Sequence, residues 1–427
     1  MWIILGFLFM IFIGIPVGYA MILSGFFFIQ FGGARVSLTL IPSAMVSGIS
    51  SYTLLAIPFF MLAGELMNSS GITRKIFNFA NAFVGHITGG LGHVNVVSSM
   101  IFAGMSGSAV ADAAGLGTIE INAMKEEGFD TDFAVGVTAA SSIIGPIIPP
   151  SSPMVLFGIV AGISVGSLFM GGITVGIIMG LLMMATVYII AKGRNYPKHQ
   201  RCSWSEKKAA FLKAFPALLA PVILIGGIFS GFFTPTEAAS VAVIYSLLIG
   251  IFVYKHLKFK SLYNVLIIGI ENLGTVILLM TSGKLFAWVL GIEKIAEYAA
   301  GFIFSFTTNK YAIIFLVNII LLFMGTFMET NASILILTPI FLPIVNTIGM
   351  HPVQFGVIFI LALMIGLLTP PMAMCLFITA RIGGIPFQRA FKAVRPYYIG
   401  LLIVLILINI FPEITITLPK LLLGTAF

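Results

Sequence analysis

Asp112 and Glu329 are the residues whose chemistry most needs a reason. Each stands in a stretch that is otherwise small or apolar, "GMSGSAVADAAG" (104–115) and "GTFMETNASI" (325–334). An acid at the centre of a membrane helix costs at least about 2.5 kcal/mol and tends to mark a pathway for ions or substrate. Beside the acids stand Ser106, Ser108, Thr330 and Asn331, whose neutral oxygens suit a hard cation such as sodium, and glycines that admit unusual dihedrals. This is the composition of a hairpin tip, although close helix packing in membranes also selects small residues. The two acids suit a mobile cation, or a structural salt bridge to a basic residue such as Lys284 or Lys294. Both readings stand at this level.

A second feature concerns the backbone. The stretch "GPIIPPSSPMVLFG" (145–158) is apolar enough to cross a membrane, yet four of its fourteen residues are proline. Proline inside a helix removes a donor and costs about 3 kcal/mol or more. Unwound backbone at membrane depth is tolerated only where it is buried in protein or lines a cavity. Pro370 and Pro371 repeat the signature. The spacing predicts two broken helices, at 145–153 and 366–371.

These residues must be positioned by helices in a bilayer. Of 427 residues, 59% are hydrophobic and 8% charged, with a mean hydropathy of +1.13. No soluble core absorbs that much apolar surface, so the fold class is an all-α polytopic membrane protein. The N-terminal stretch lacks a basic region and a cleavage site, and reads as a retained span. The two cysteines, Cys202 and Cys375, suggest no disulfide framework. His86 and His93 lack metal-ligand spacing. Patterns for a P-loop, HExxH and GxSxG are absent, so neither P-loop ATP hydrolysis nor those hydrolytic chemistries are expected. "GMSG" at Ser106 is similar to the nucleophile stretch of rhomboid-type intramembrane proteases. This chain is too long for that compact design, however, and a catalytic serine gives no reason for symmetric proline breaks. No enzyme and no organic cofactor are expected. Glu237 has a plainer reading, as the returning carboxylate of a capping box with Thr234 and Pro235.

The breaks belong to an internal repeat. At an offset of 221 residues Phe102, Gly104, Gly128, Gly145, Pro149, Pro150 and Gly162 match Phe323, Gly325, Gly349, Gly366, Pro370, Pro371 and Gly383. The offset drifts to 219 for Pro16 with Pro235 and Gly64 with Gly283. The offset of 221 pairs Asp112 with Ser333 and Ser108 with Glu329, and that of 219 pairs Glu65 with Lys284, so that a Glu65–Lys284 ion pair between the halves is conceivable. Charge gives the direction. Seven Lys/Arg lie between Lys192 and Lys213 with one acid, Glu206; Lys255, Lys258 and Lys260 form a second cluster, and Arg389, Lys392 and Arg395 a third. Basic loops stay in the cytoplasm, which explains these clusters without a nucleic-acid partner. Their repeat counterparts carry only Arg35, or no charge at all near 160–170. Equivalent loops therefore prefer opposite sides, and the repeats are expected to be inverted. The organisation expected is a first repeat over 1–191 with a hairpin at about 100–128, a basic cytoplasmic linker over 192–215, and a second repeat over 216–427 with a hairpin at about 323–349. Each half should hold about five crossings and one re-entrant hairpin, with both termini outside the cytoplasm.

"PFFMLAGELM", "GMSGSAVADAAGLGTIEINAM", "SSIIGPIIPPSSPMVLFG", "GFFTPTEAASVA" and "GTFMETNASILILTPIFLPI" together resemble the large membrane subunit of tripartite ATP-independent periplasmic (TRAP) transporters, over essentially the whole chain. The resemblance implies an elevator-type, sodium-coupled transport subunit with a scaffold and a mobile domain, in the bacterial inner membrane. It implies two partners: a small four-span membrane subunit, and a periplasmic binding protein that delivers an organic acid such as sialic acid or a C4-dicarboxylate. Nothing precedes the first repeat, so a fused small subunit is not expected. Carried over by motif position, the sodium sites fall on Ser106, Gly107, Ser108, Gly145 and Pro149 in one half. In the other they fall on Thr330, Asn331, Gly366, Thr369 and Pro370. Asp112, Glu329, Pro150, Ser151 and Pro371 are the candidates on the substrate or coupling side; Glu329 stands where the family often has Asp. No arginine lies in the hairpin cores, so backbone donors and helix dipoles would have to hold a substrate carboxylate. The rival reading is a channel that works without a binding protein.

Overall fold

A computed structural model of the chain describes residues 2–32, 36–50 and 52–424, and among them every regular element is helical. Arg35, one of the charges that orient the repeats, lies outside the described residues, as does the side chain of Lys260.

The first half contributes α1 (Trp2–Phe12), α2 (Val17–Phe31), α3 (Leu40–Ile49), α4 (Ala56–Ser69), α5 (Ile72–Val84), α6 (Gly90–Ser106), α7 (Ala109–Glu126), α8 (Thr131–Ser142), α9 (Ser152–Ala161) and α10 (Val165–Arg194). The second contributes α11 (Trp204–Phe229), α12 (Pro235–Leu248), α13 (Phe259–Ile292), α14 (Ile295–Phe306), α15 (Lys310–Phe327), α16 (Thr330–Thr347), α17 (Pro352–Gly366), α18 (Met374–Gly383), α19 (Phe387–Ile410) and α20 (Glu413–Leu423). The 221-residue offset carries the end of α6 onto the end of α15, both ends of α7 onto those of α16, and the start of α8 onto that of α17. The halves differ elsewhere. α3 and α4 meet through a short 3-10 turn at a 62° bend, where the second half has the continuous α13.

Helix starts follow capping chemistry. Ser203 with Glu206, and Thr234 with Glu237, form complete capping boxes at α11 and α12, and Pro235 occupies the first turn of α12. Other boundaries differ from the sequence reading. The hairpin arms begin at Gly90 and Lys310, well before 100 and 323, because the glycines of "GLGHVNVV" serve packing. A Cβ on Gly92 would meet Phe133 and Val187 at 2.8 Å. The basic stretch 192–215 is a loop only over 195–203, since α10 and α11 extend into it. The N-terminal stretch is two helices, parted at Gly14 (φ +91°) and at Pro16, the residue before α2. Among the described residues seven helices are long and apolar enough to cross a membrane, or eight with the bent α3–α4 pair as one span. Six of the seven lie in the second half, the hairpin arms α15 and α16 among them, and one in the first, so the first half reaches five crossings only when shorter and broken helices are counted.

The repeats are not two separate bodies. α4 packs along α12, α2 and α3 along α13, and α5 along α11; in turn α7 lies on α18, α8 on α19 and α9 on α16. Lys125 at the foot of α7 donates to the Gly383 carbonyl at the end of α18 (3.3 Å), a cation at a helix C-terminus. At the centre runs α17, buried at nearly every position and apolar all round, as a helix enclosed by protein must be.

Candidate functional site

Each hairpin turns at a residue that caps its second arm. α6 ends at Ser106, Gly107 takes the left-handed conformation (φ +59°), and Ser108 runs extended, its Oγ accepting from the Ala111 N–H (3.3 Å). In the other hairpin Glu329, the repeat partner of Ser108, does the same for α16. Its carboxylate accepts from the Ala332 N–H (3.0 Å) and from Asn331 Nδ2 (2.9 Å). An acid at a helix N-terminus answers free N–H groups and the positive end of the dipole. That is why a glutamate is tolerated at this tip.

The two breaks lie against the tips. After α8 the chain is irregular to Ser151, which caps α9 by accepting from the Met154 N–H (3.2 Å) and donating to the Pro146 carbonyl. After α17 the break is tied back to the second hairpin, where the Met372 N–H donates to the Thr326 carbonyl (3.0 Å). Pro149–Pro150 and Pro370–Pro371 are both cis. Glycine is required where tip and break touch. A Cβ on Gly107 would lie 2.4 Å from the Pro150 carbonyl oxygen, and one on Gly366 would lie 2.3 Å from the Gly325 carbonyl carbon.

Tips and breaks converge on one cavity of about 140 Å³. Gly107 and Ser108 line it from the first tip, and Glu329, Thr330 and Asn331 from the second. Pro146, Ser152, Pro153 and Leu367 line it from the breaks. Ser106, Gly145, Pro149, Pro150 and Ser151 do not line it; nor do Gly366, Thr369, Pro370 and Pro371. Among these, Ser106 Oγ is buried without a hydrogen-bond partner, and so is Ser152 Oγ. Thr369 has its hydroxyl engaged, donating to the Ile365 carbonyl (3.0 Å) and meeting Tyr398 OH (3.1 Å). The sequence reading missed Ser152 and Pro153, whose signal was the "SSP" that restarts the helix after the break.

Asp112 does not reach the cavity either. It is buried among α6, α7 and α8, with neither carboxyl oxygen hydrogen-bonded. Eight residues further along α7, Glu120 Oε2 accepts from Asn95 Nδ2 (2.6 Å), and Ser141 bridges Asn95 and Ser99. The salt bridges conceived from the sequence do not form. Lys294 pairs with Glu297 (3.6 Å), and among the described residues no ion pair joins Asp112, Glu329, Glu65 or Lys284 to anything. Ion pairs gather instead where helices end. Arg194 meets Asp130 (2.8 Å), His199 meets Glu127 (2.7 Å) and Arg389 meets Asp132 (2.9 Å). The Tyr196 hydroxyl, followed by Arg194, holds the Asp130 carboxyl below its ordinary range. Burial and the same contact push the Tyr196 phenol up to about 12.

The arrangement offers neutral oxygens at two tips, the N-terminal ends of α7, α9 and α16 facing one space, and one carboxylate. It suits small ions and an anion held by N–H groups. Comparison with known proteins finds relatives over nearly the whole chain. The profile of the family described as "Tripartite ATP-independent periplasmic transporter, DctM component" matches residues 4–414. The chain is 44% identical to the sialic acid TRAP transporter large permease protein SiaM of Vibrio cholerae, over 99% of this chain and 98% of that one. It is 39% identical to the C4-dicarboxylate TRAP transporter large permease protein DctM of Pseudomonas aeruginosa, over 86% of each. In fold it is similar to the crystal structure of the Alcanivorax borkumensis YdaH transporter, with a TM-score of 0.65 at 14% identity, covering 89% of this chain and 90% of that one.

Proposed function

The chain belongs to the DctM-component family of tripartite ATP-independent periplasmic transporters, and from that premise we propose that it carries out sodium-coupled uptake of an organic acid. It is a permease, as its relatives are named, and not an enzyme. The observation that carries the proposal is the meeting of two hairpin tips and two helix breaks at one cavity. A channel needs a continuous pore, whereas paired broken elements around one site are the arrangement of alternating-access transporters.

In this reading sodium binds between each tip and its break, on oxygens from Ser106, Gly107, Ser108, Gly145 and Pro149, and from Thr330, Asn331, Gly366, Thr369 and Pro370. The unpartnered Ser106 hydroxyl supports the first site. The substrate carboxylate faces the free N–H groups of α9 and α16, with Asp112, Glu329, Pro150, Ser151 and Pro371 coupling it to the ions. Sialic acid and C4-dicarboxylates are the classes that the relatives' names point to. Size bears on the larger of them. A cavity of about 140 Å³ is below the roughly 300–1,000 Å³ of sites for drug-sized ligands, so a nine-carbon sugar acid needs the tips to part. The hairpins and breaks would move together past α4, α12 and α13, an elevator in the bacterial inner membrane. A small four-span subunit would brace the scaffold, and a periplasmic binding protein would deliver the substrate.

Proteoliposomes containing the chain and both partners provide the test. Uptake of labelled N-acetylneuraminate or succinate should require the binding protein and an inward sodium gradient. Uptake that needs neither would establish the channel.

A further inference from the structure

Three cavities follow one another along α9. Its first residues, Ser152 and Pro153, face the tip cavity. Leu156 and Val160 face a second cavity, of about 210 Å³, and Gly162 borders a third, of about 470 Å³. Ile159 lines both the second and the third, so these two lie on either side of one side chain. The third is bounded by 162–166 and by Phe233 and Pro235, segments that the loop charges assign to the external side. The row therefore leads from that side toward the tips.

Among the described residues, Lys284 of α13 is the one cation that lines any of the three. It is held there by close packing. A Cβ on Gly48 of α3 would lie 3.0 Å from the Lys284 Cβ, and one on the adjacent Gly283 would lie 2.8 Å from the Leu335 side chain of α16. Leu335 lies six residues beyond Glu329, about 9 Å along the helix from the tip at 1.5 Å per residue. Lys284 is exposed, lines this cavity and has no ion-pair partner among the described residues. A lone ammonium within an apolar span is costly and marks a pathway by default.

We infer that Lys284 is a carboxylate-receiving group on the external approach to the tips. The anionic substrate meets its ammonium in the second cavity, and passes along α9 to the helix N-termini. The inference rests on the proposal that the cargo is an organic acid, and deepens it by naming a recognition residue.

The same tripartite proteoliposomes test it, with N-acetylneuraminate and succinate as probes. Lys284→Gln should raise the substrate concentration for half-maximal uptake about tenfold or more, the scale of a lost charge-assisted contact. The sodium dependence should stay unchanged, and Lys284→Arg should recover most of the affinity. Lys284→Cys controls for folding, because the charge is restored after assembly. A trimethylammonium thiosulfonate reagent should recover uptake, and a sulfonate reagent should not. Equal affinity in Lys284→Gln and wild type, or recovery blind to the sign of the reagent, overturns the inference. So does rescue of Lys284→Glu by Glu329→Lys, which would make the two residues an internal gate. A wild type that takes up neither probe overturns the organic-acid reading itself, a result distinct from all of these.

Discussion

At the scale of single residues, the tips separate groups that hold the fold from groups free for an ion. Ser108 caps α7, so Ser108→Ala should cost about 1 kcal/mol of stability whatever its role in ion binding. Ser106 is the cleaner probe. Its hydroxyl is buried without a partner, and removing an unsatisfied polar group should leave stability unchanged or raise it. If that oxygen is a sodium ligand, Ser106→Ala should raise the sodium concentration for half-maximal uptake about tenfold at normal membrane expression, about 1.4 kcal/mol. Ser69→Ala, at the end of α4, should be silent. Unchanged sodium dependence in Ser106→Ala would place the ion elsewhere. The types and positions of these residues were legible in the sequence, since the left-handed turn at Gly107 calls for glycine, and a hydroxyl or carboxylate can cap the arm that follows. The orientation of Asp112 was not, because the groups it faces, Ser99 of α6 among them, come from a different helix.

At the scale of elements, the repeat was legible through its punctuation, and the arms were blurred by it. Proline pairs and glycines at a fixed offset mark the breaks, but the same glycine signal hid the first turns of α6, where Gly92 serves packing. Three glycine substitutions separate these uses. In Gly107→Ala and Gly366→Ala the new methyl meets backbone at 2.4 Å and 2.3 Å, so each should cost about 1–3 kcal/mol or more and abolish uptake. Gly162→Ala meets nothing within 4 Å and bears only the strain of φ +69°, so it should unfold only slightly below wild type. Thermal unfolding in detergent gives the order; equal melting of all three would mean that tip and break do not touch. The turn between α7 and α8 has its own signature. The Asp130 carboxyl is held below its ordinary range by Tyr196 and Arg194. Its contribution is therefore present above the unfolded-state carboxylate value, near pH 4, and is lost as pH falls through the lower folded value. The melting difference between wild type and Asp130→Asn should be constant near neutrality and shrink under acid. A difference that grows on acidification would reverse the assignment.

At the scale of the whole molecule, the repeats interlock, and inversion follows from the side on which basic loops lie. A cysteine at 198 should react from the cytoplasm and one at 165 from outside, in a background without Cys202 and Cys375; labelling of both from one side would end the inverted arrangement. How the halves pack on one another was not legible in sequence order, because α4 finds α12 and α9 finds α16 across the whole chain. The meeting of four distant segments at one cavity is likewise a property of tertiary structure alone. The account stands most directly on energetic coupling. With both partners present, labelled substrate should accumulate inside proteoliposomes above its external concentration under an inward sodium gradient. The gradient should set the ratio, and a sodium ionophore should return it to unity. Substrate that only equilibrates, or that still accumulates after the sodium gradient is collapsed with no other ion gradient present, would contradict it.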